Sequence, residues 1–97
     1  MPIYQLIPLA DNAADLDVTM TQRMPEANRF PLQNQRGWLA DYAGTSVELS
    51  NFLGITGTPE GVPPSVSPIL ITGITNYYGR GPADMWEWLK TRFERAP

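Results

Sequence analysis

The chemistry open to this chain is limited first by what it lacks. Its 97 residues include neither histidine nor cysteine. That removes the usual general base near neutral pH, the commonest zinc ligand, and every Ser-His or Cys-His nucleophile arrangement. Carboxylates, tyrosines, hydroxyls, six arginines and one lysine remain. No catalytic residue is assigned from them, and neither a cofactor nor a metal is expected.

The densest set of usable groups is Tyr77, Tyr78 and Arg80, set between an apolar run (Ile69 to Ile74) and a proline-led helix signal at Pro82. Ligands often sit at strand-to-helix junctions, where helix amides can hold an anion. Arg80 beside two phenol rings can grip a phosphate or carboxylate, or stack on a base. The purely structural alternative packs one tyrosine inward, lays the other along the surface, and pairs Arg80 with Asp84 or Glu87. The Gly-x-Gly of Gly79 and Gly81 is a very weak phosphate signature by itself.

Trp86 and Trp88 follow within eight residues of Arg80, and Trp38 stands earlier. Tryptophan is enriched at binding hot spots, so Trp86 and Trp88 are interface candidates. Equally, Met85, Trp86, Leu89 and Phe93 form a helical stripe of the kind that fills a core. Arg29 and Arg36, with Arg23 nearby, are candidates for a basic edge facing nucleic acid, with Tyr42 or Trp38 as a stacking surface. Arginine on an edge strand more often blocks sheet-to-sheet association. Among carboxylates, Asp11, Asp15, Asp17 and Asp41 are the set that can cluster around a magnesium ion, Asp11 and Asp41 through neighbouring strands. An acidic first helical turn is expected on dipole grounds alone.

These groups need elements to hold them. Ile3 to Leu9 has apolar side chains on both faces, as a central strand does, with Pro8 marking where pairing stops. Asp11 or Asn12 can cap a helix carrying Ala13, Leu16, Met20 and Met24, which ends before Pro25. Arg29 to Gln33 reads as a short edge strand, Gln35-Arg36-Gly37 as a turn, and Trp38 to Ala43 as a half-buried strand. Thr45-Ser46-Val47-Glu48 is a capping box opening a short helix that Gly54 closes. Thr56 to Pro68, with four prolines and two glycines, is a surface loop. Ile69 to about Asn76 reads as a buried strand. A last helix spans about 82–94, with Pro82 at its first position, Asp84 in the first turn, and Lys90, Arg92 and Arg95 toward the end.

The order is strand, helix, strand, strand, helix, strand, then a terminal helix. It predicts an α+β fold, a ferredoxin-like βαββαβ unit with an additional C-terminal helix, in one domain over residues 1–97. A chain of this size buries roughly 60–65% of the surface it exposes when unfolded. Its 42% apolar content and modest charge suit a globular chain. Net charge of −3 opposes broad attraction to nucleic acid or anionic membranes. With no leader-like opening and no membrane-length apolar run, the cytoplasm is the expected location.

The element order, the small size, and a tryptophan-led strand (Gly37-Trp38-Leu39) followed by a short helix (Val47 to Leu53) resemble small ferredoxin-like proteins related to the minor CRISPR integration subunit. The resemblance covers topology over most of the chain and includes no diagnostic motif. It implies a dimer joined through strands and terminal segments, and an association with nucleic acid. In that family the first strand commonly closes with a tyrosine-aspartate pair, whose aspartate is a metal ligand in nuclease members. Here the stretch reads Ile7-Pro8-Leu9, so no catalytic residue carries over.

Three functions follow as expectations. The first is a non-enzymatic protein-interaction module, a homodimer contacting through its terminal helix or a sheet edge. The second is nucleic-acid binding through arginine and tyrosine, and the third a small enzyme using carboxylates and tyrosines. The terminal helix itself has three possible destinations: a sheet edge, the second sheet face, or a second subunit.

Overall fold

In the computed structural model, which describes residues 2–76 and 78–95, seven regular elements follow one another. They are β1 (Ile3–Pro8), α1 (Ala13–Arg23), β2 (Arg29–Pro31), β3 (Trp38–Asp41), α2 (Ser46–Phe52), β4 (Ile69–Ile74) and α3 (Ala83–Arg95). The fold is mixed α+β: a four-stranded sheet in the order β2-β3-β1-β4, every neighbouring pair antiparallel, with three helices. As its two apolar faces required, β1 is central. Its Tyr4 stands opposite Ala40 of β3 and Gly73 of β4. Among the described residues, no helix is long and apolar enough to cross a membrane.

The period-two alternation of the strands divides the core in two. On one face Tyr4, Leu6, Trp38 and Ala40 meet Leu16 and Met20 of α1 and Leu49 of α2. Leu6, Leu16, Met20, Leu49 and Leu53 are fully buried there, and each contributes roughly 1.5–3 kcal/mol by leaving water. On the other face Ile3 and Leu39 bury Leu89 of α3, with Trp86, Trp88 and Phe93 packed at the margin. Of its three expected destinations, the terminal helix therefore takes the second sheet face of its own chain.

That cover changes the character of β3. Its alternation predicted a half-buried strand, yet all four of its residues are buried, Asp41 included. The helix that buries Asp41 is α3, more than forty residues away in sequence, so local alternation could not reveal it. Conversely, β4 was expected to be buried and is instead the edge of the sheet, with Leu70 and Gly73 exposed. An apolar run reports affinity for apolar surroundings without saying how many neighbours the sheet supplies.

Local signals set the helix ends with varying success. The capping box of α2 is complete: Glu48 N–H donates to Thr45 Oγ1 at 3.1 Å, and Thr45 N–H donates to Glu48 Oε1 at 3.0 Å. Gly54 follows in the left-handed region (φ 77°). Asn12 does occupy the N-cap of α1, but its side chain does not cap. Its Nδ2 instead donates to the Pro68 carbonyl at 3.0 Å, tying the start of α1 to the loop before β4. Pro82 lies one position earlier than expected. Its carbonyl accepts from Trp86 N–H at 3.2 Å, so it precedes the first turn of α3 rather than opening it.

The expected turn before β3 is built around Gly37, whose φ of 126° excludes ordinary side chains. A Cβ there would lie 2.1 Å from the Leu6 carbonyl oxygen, so glycine is what lets this turn lie against β1. The loop over 56–68 is irregular as expected. Ser65 Oγ donates to Leu53 O at 2.6 Å, and Val66 is buried beneath it.

Candidate functional site

β4 carries the most exposed pairing capacity in the sheet. Its six residues include no proline and no charged side chain. The uncharged stretch in fact extends from Gly61 through Gly79. One side of β4 is paired with β1 along its full length. Among the described residues, none of its backbone groups is bonded on the outer side. The opposite edge is blunted: β2 has three residues, begins with the charged Arg29 and ends on Pro31. Such blunting is how native sheets avoid unwanted pairing, and β4 shows none of it.

Beside this edge lies α2. Ser46, Val47, Ser50 and Asn51 of the helix face Ile69 and Ile71 across a shallow groove of about 460 Å³. Val47 is 65% exposed and Leu70 is 44% exposed, so apolar surface is available on both sides of the strand. A strand added here would bond β4 through its main chain and set alternate side chains beside α2.

The interface candidates Trp86 and Trp88 are both half-buried within their own chain. Trp88 lies against Phe30, ring centroids 6.0 Å apart and tilted by 48°. The Arg92 guanidinium covers the Trp88 ring at 4.2 Å from its centroid. Arg92 also donates to the Ala27 carbonyl and forms an ion pair with Asp41, Nε to Oδ2 3.6 Å. This cluster fastens α3 to the sheet, and nothing in the spacing of residues 41 and 92 signalled it.

Of the junction candidates, Tyr77 lies outside the described residues. Tyr78 is fully exposed. Arg80 is exposed as well, and among the described residues it forms no ion pair with Asp84 or Glu87. Asp84 instead accepts the Met85 N–H at its Oδ1, 2.9 Å.

The basic candidates are not gathered into one edge. Arg29 Nη1 donates to the Met24 carbonyl at 2.5 Å, and Arg23 Nη1 to the Phe52 carbonyl at 3.4 Å. Arg36 lies beyond β2, on the wall of a separate open groove. Trp38 is buried with its Nε1–H donating to Asp17 Oδ1 at 2.8 Å, so its ring offers no stacking surface. Tyr42 packs on Phe52, centroids 5.5 Å apart.

The carboxylates are likewise dispersed. Asp41 stands opposite Ile3 at the start of β1, whereas Asp11 follows its end. The expected approach of these two therefore does not occur, because β3 runs antiparallel and brings its last residue to the beginning of β1. Asp15 is exposed, and Asp17 is engaged by Trp38. No group of three metal-ligating side chains forms among the described residues.

Sequence reasoning passed over the β4 edge and the exposure of Val47. The signal was present as the charge-free run from Gly61 to Gly79. The chain matches no protein-family model, no curated protein and no solved structure.

Proposed function

We propose that this protein is a non-enzymatic interaction module that forms a homodimer by pairing the β4 edges of two subunits. The observation that carries the reading is the six-residue, proline-free, uncharged edge strand with an uncharged groove beside it. Two copies of β4 meeting antiparallel about a two-fold axis would extend the sheet to eight strands. Such an interface is self-complementary, and a neutral strand places no like charges opposite each other. Centred on Ile71, the pairing sets Ile69 opposite Gly73; centred on Thr72, it sets Ile71 opposite Gly73. In both registers a large side chain meets the one position without a Cβ.

The strand alone is about 20 Å long and would bury less than the ~800 Å² per partner of a standard interface. Val47 and the neutral groove beside α2 supply the additional surface. Micromolar association, about −8 kcal/mol, is the strength this proposal expects. The ferredoxin-like reading belongs to the same proposal. It is supported by the order β2-β3-β1-β4, with α1 and α2 as crossovers on one face, and by α3 as an addition on the other.

Nucleic-acid binding and catalysis are the weaker readings. Arg23 and Arg29 are spent on backbone carbonyls, and the carboxylates stand apart. The deciding experiment is sedimentation across a concentration series, with Thr72→Cys as a companion. Because the chain has no cysteine of its own, a disulfide-linked dimer under mild oxidation would report proximity of the two strands. A monomer at all concentrations up to about 100 μM would refute the proposal.

A further inference from the structure

The far side of the molecule holds a feature independent of the dimer. Beyond β2 the chain turns through Gln33–Gln35, where Asn34 and Gln35 both adopt the left-handed region, φ 61° and 56°. Two consecutive residues with side chains rarely do so, and such strain is concentrated at ligand clamps and active sites. The turn sets Gln33, Asn34 and Arg36 along one wall of an open groove of about 710 Å³. The start of α3 forms the other wall. The volume falls within the roughly 300–1,000 Å³ typical of small-molecule sites.

The lining has a definite chemical order. Phe30, Leu32 and Met85 provide apolar surface, with an aromatic face and a thioether that together suit a flat ring. Phe30 is braced from behind by Trp88, centroids 6.0 Å apart, so its ring is held in place beside the groove. The Gln5 amide adds a neutral polar group. Among the described residues that line the groove, Arg36 is the cation. It is exposed and forms no ion pair among the described residues. Asp84 also lines the groove, and its Oδ1 accepts from the Met85 N–H at 2.9 Å.

We infer that this groove binds a small aromatic carboxylic acid, its ring on Phe30 and Met85 and its carboxylate on the Arg36 guanidinium. A planar fork of donors matches a carboxylate with two parallel hydrogen bonds. A phosphate would match the fork too, but its second negative charge would face Asp84 across the same groove. A single charge with a flat apolar body is the better complement.

The probe is 3-phenylpropionate, titrated calorimetrically and by intrinsic tryptophan fluorescence, with 3-phenylpropionamide and phenyl phosphate alongside. A fragment this small is expected to bind at about 1 mM. The amide and the phosphate should each bind at least tenfold more weakly. Arg36→Gln should lose at least tenfold while its melting curve is unchanged, since Arg36 is exposed. Amide-proton shifts should concentrate at Leu32, Asn34 and Met85. Absence of saturation by about 10 mM, equal binding of the amide, or indifference to Arg36→Gln would each overturn the inference. The same titration on Leu70→Lys, whose β4 edge is charged, should give the same affinity, so the outcome is read separately from dimerisation.

Discussion

Arg92 and Asp41 form an ion pair, Nε to Oδ2 3.6 Å, beneath a helix that covers the second sheet face, with Asp41 only 3% exposed. The pair joins the last strand residue of β3 to the last turn of α3, and Arg92 reaches onward to the Ala27 carbonyl. Removing one member of a buried pair leaves an uncompensated charge, whereas removing both need not. Arg92→Met should therefore cost about 3 kcal/mol in urea unfolding. The double variant Arg92→Met with Asp41→Leu should recover most of that loss. Equal destabilisation of single and double variants would show that the pair itself is not what fastens α3.

Trp88 separates two models of association. Its ring packs on Phe30 and beneath Arg92 within one subunit. Trp88→Ala should lower stability by about 2–3 kcal/mol and leave the sedimentation coefficient of the proposed dimer unchanged. A monomeric, fully stable Trp88→Ala protein would move the interface from β4 to α3.

The edge strand gives the reverse expectation. Leu70 is 44% exposed on β4, so Leu70→Lys should change folding stability by less than about 0.5 kcal/mol. Charges brought together near a two-fold axis should nonetheless weaken dimerisation at least tenfold, more at low salt than at high. Sedimentation at two ionic strengths reads both effects.

Gly37→Ala tests the turn that lies against β1. The added Cβ would stand 2.1 Å from the Leu6 oxygen on a backbone with φ 126°. A loss of about 3 kcal/mol or more is expected, since backbone must move at the sheet centre. Gly61→Ala is the matched control for a positive φ with open space around it, and it should cost about 1 kcal/mol.

Thr45→Ala removes the hydroxyl that accepts Glu48 N–H at 3.1 Å. The expected cost is about 1 kcal/mol, measured by denaturant midpoint with unchanged slope.

Much of this architecture was legible from residue types alone. Thr45 and Glu48 announced α2 because a capping box is satisfied by atoms three residues apart. Leu16, Met20 and Met24 announced the buried stripe of α1, and Ile3 to Leu9 announced a central strand, because periodicity is a local property. The absence of cysteine and histidine was equally plain. Tertiary structure decided the rest. It made Asp41 buried, made β4 an edge, turned Trp86 and Trp88 onto their own sheet, and brought Arg36 and the start of α3 to one groove. Each of these depends on which distant segment covers a face. That choice is made by packing across dozens of residues, and neither a helical nor a strand period carries it.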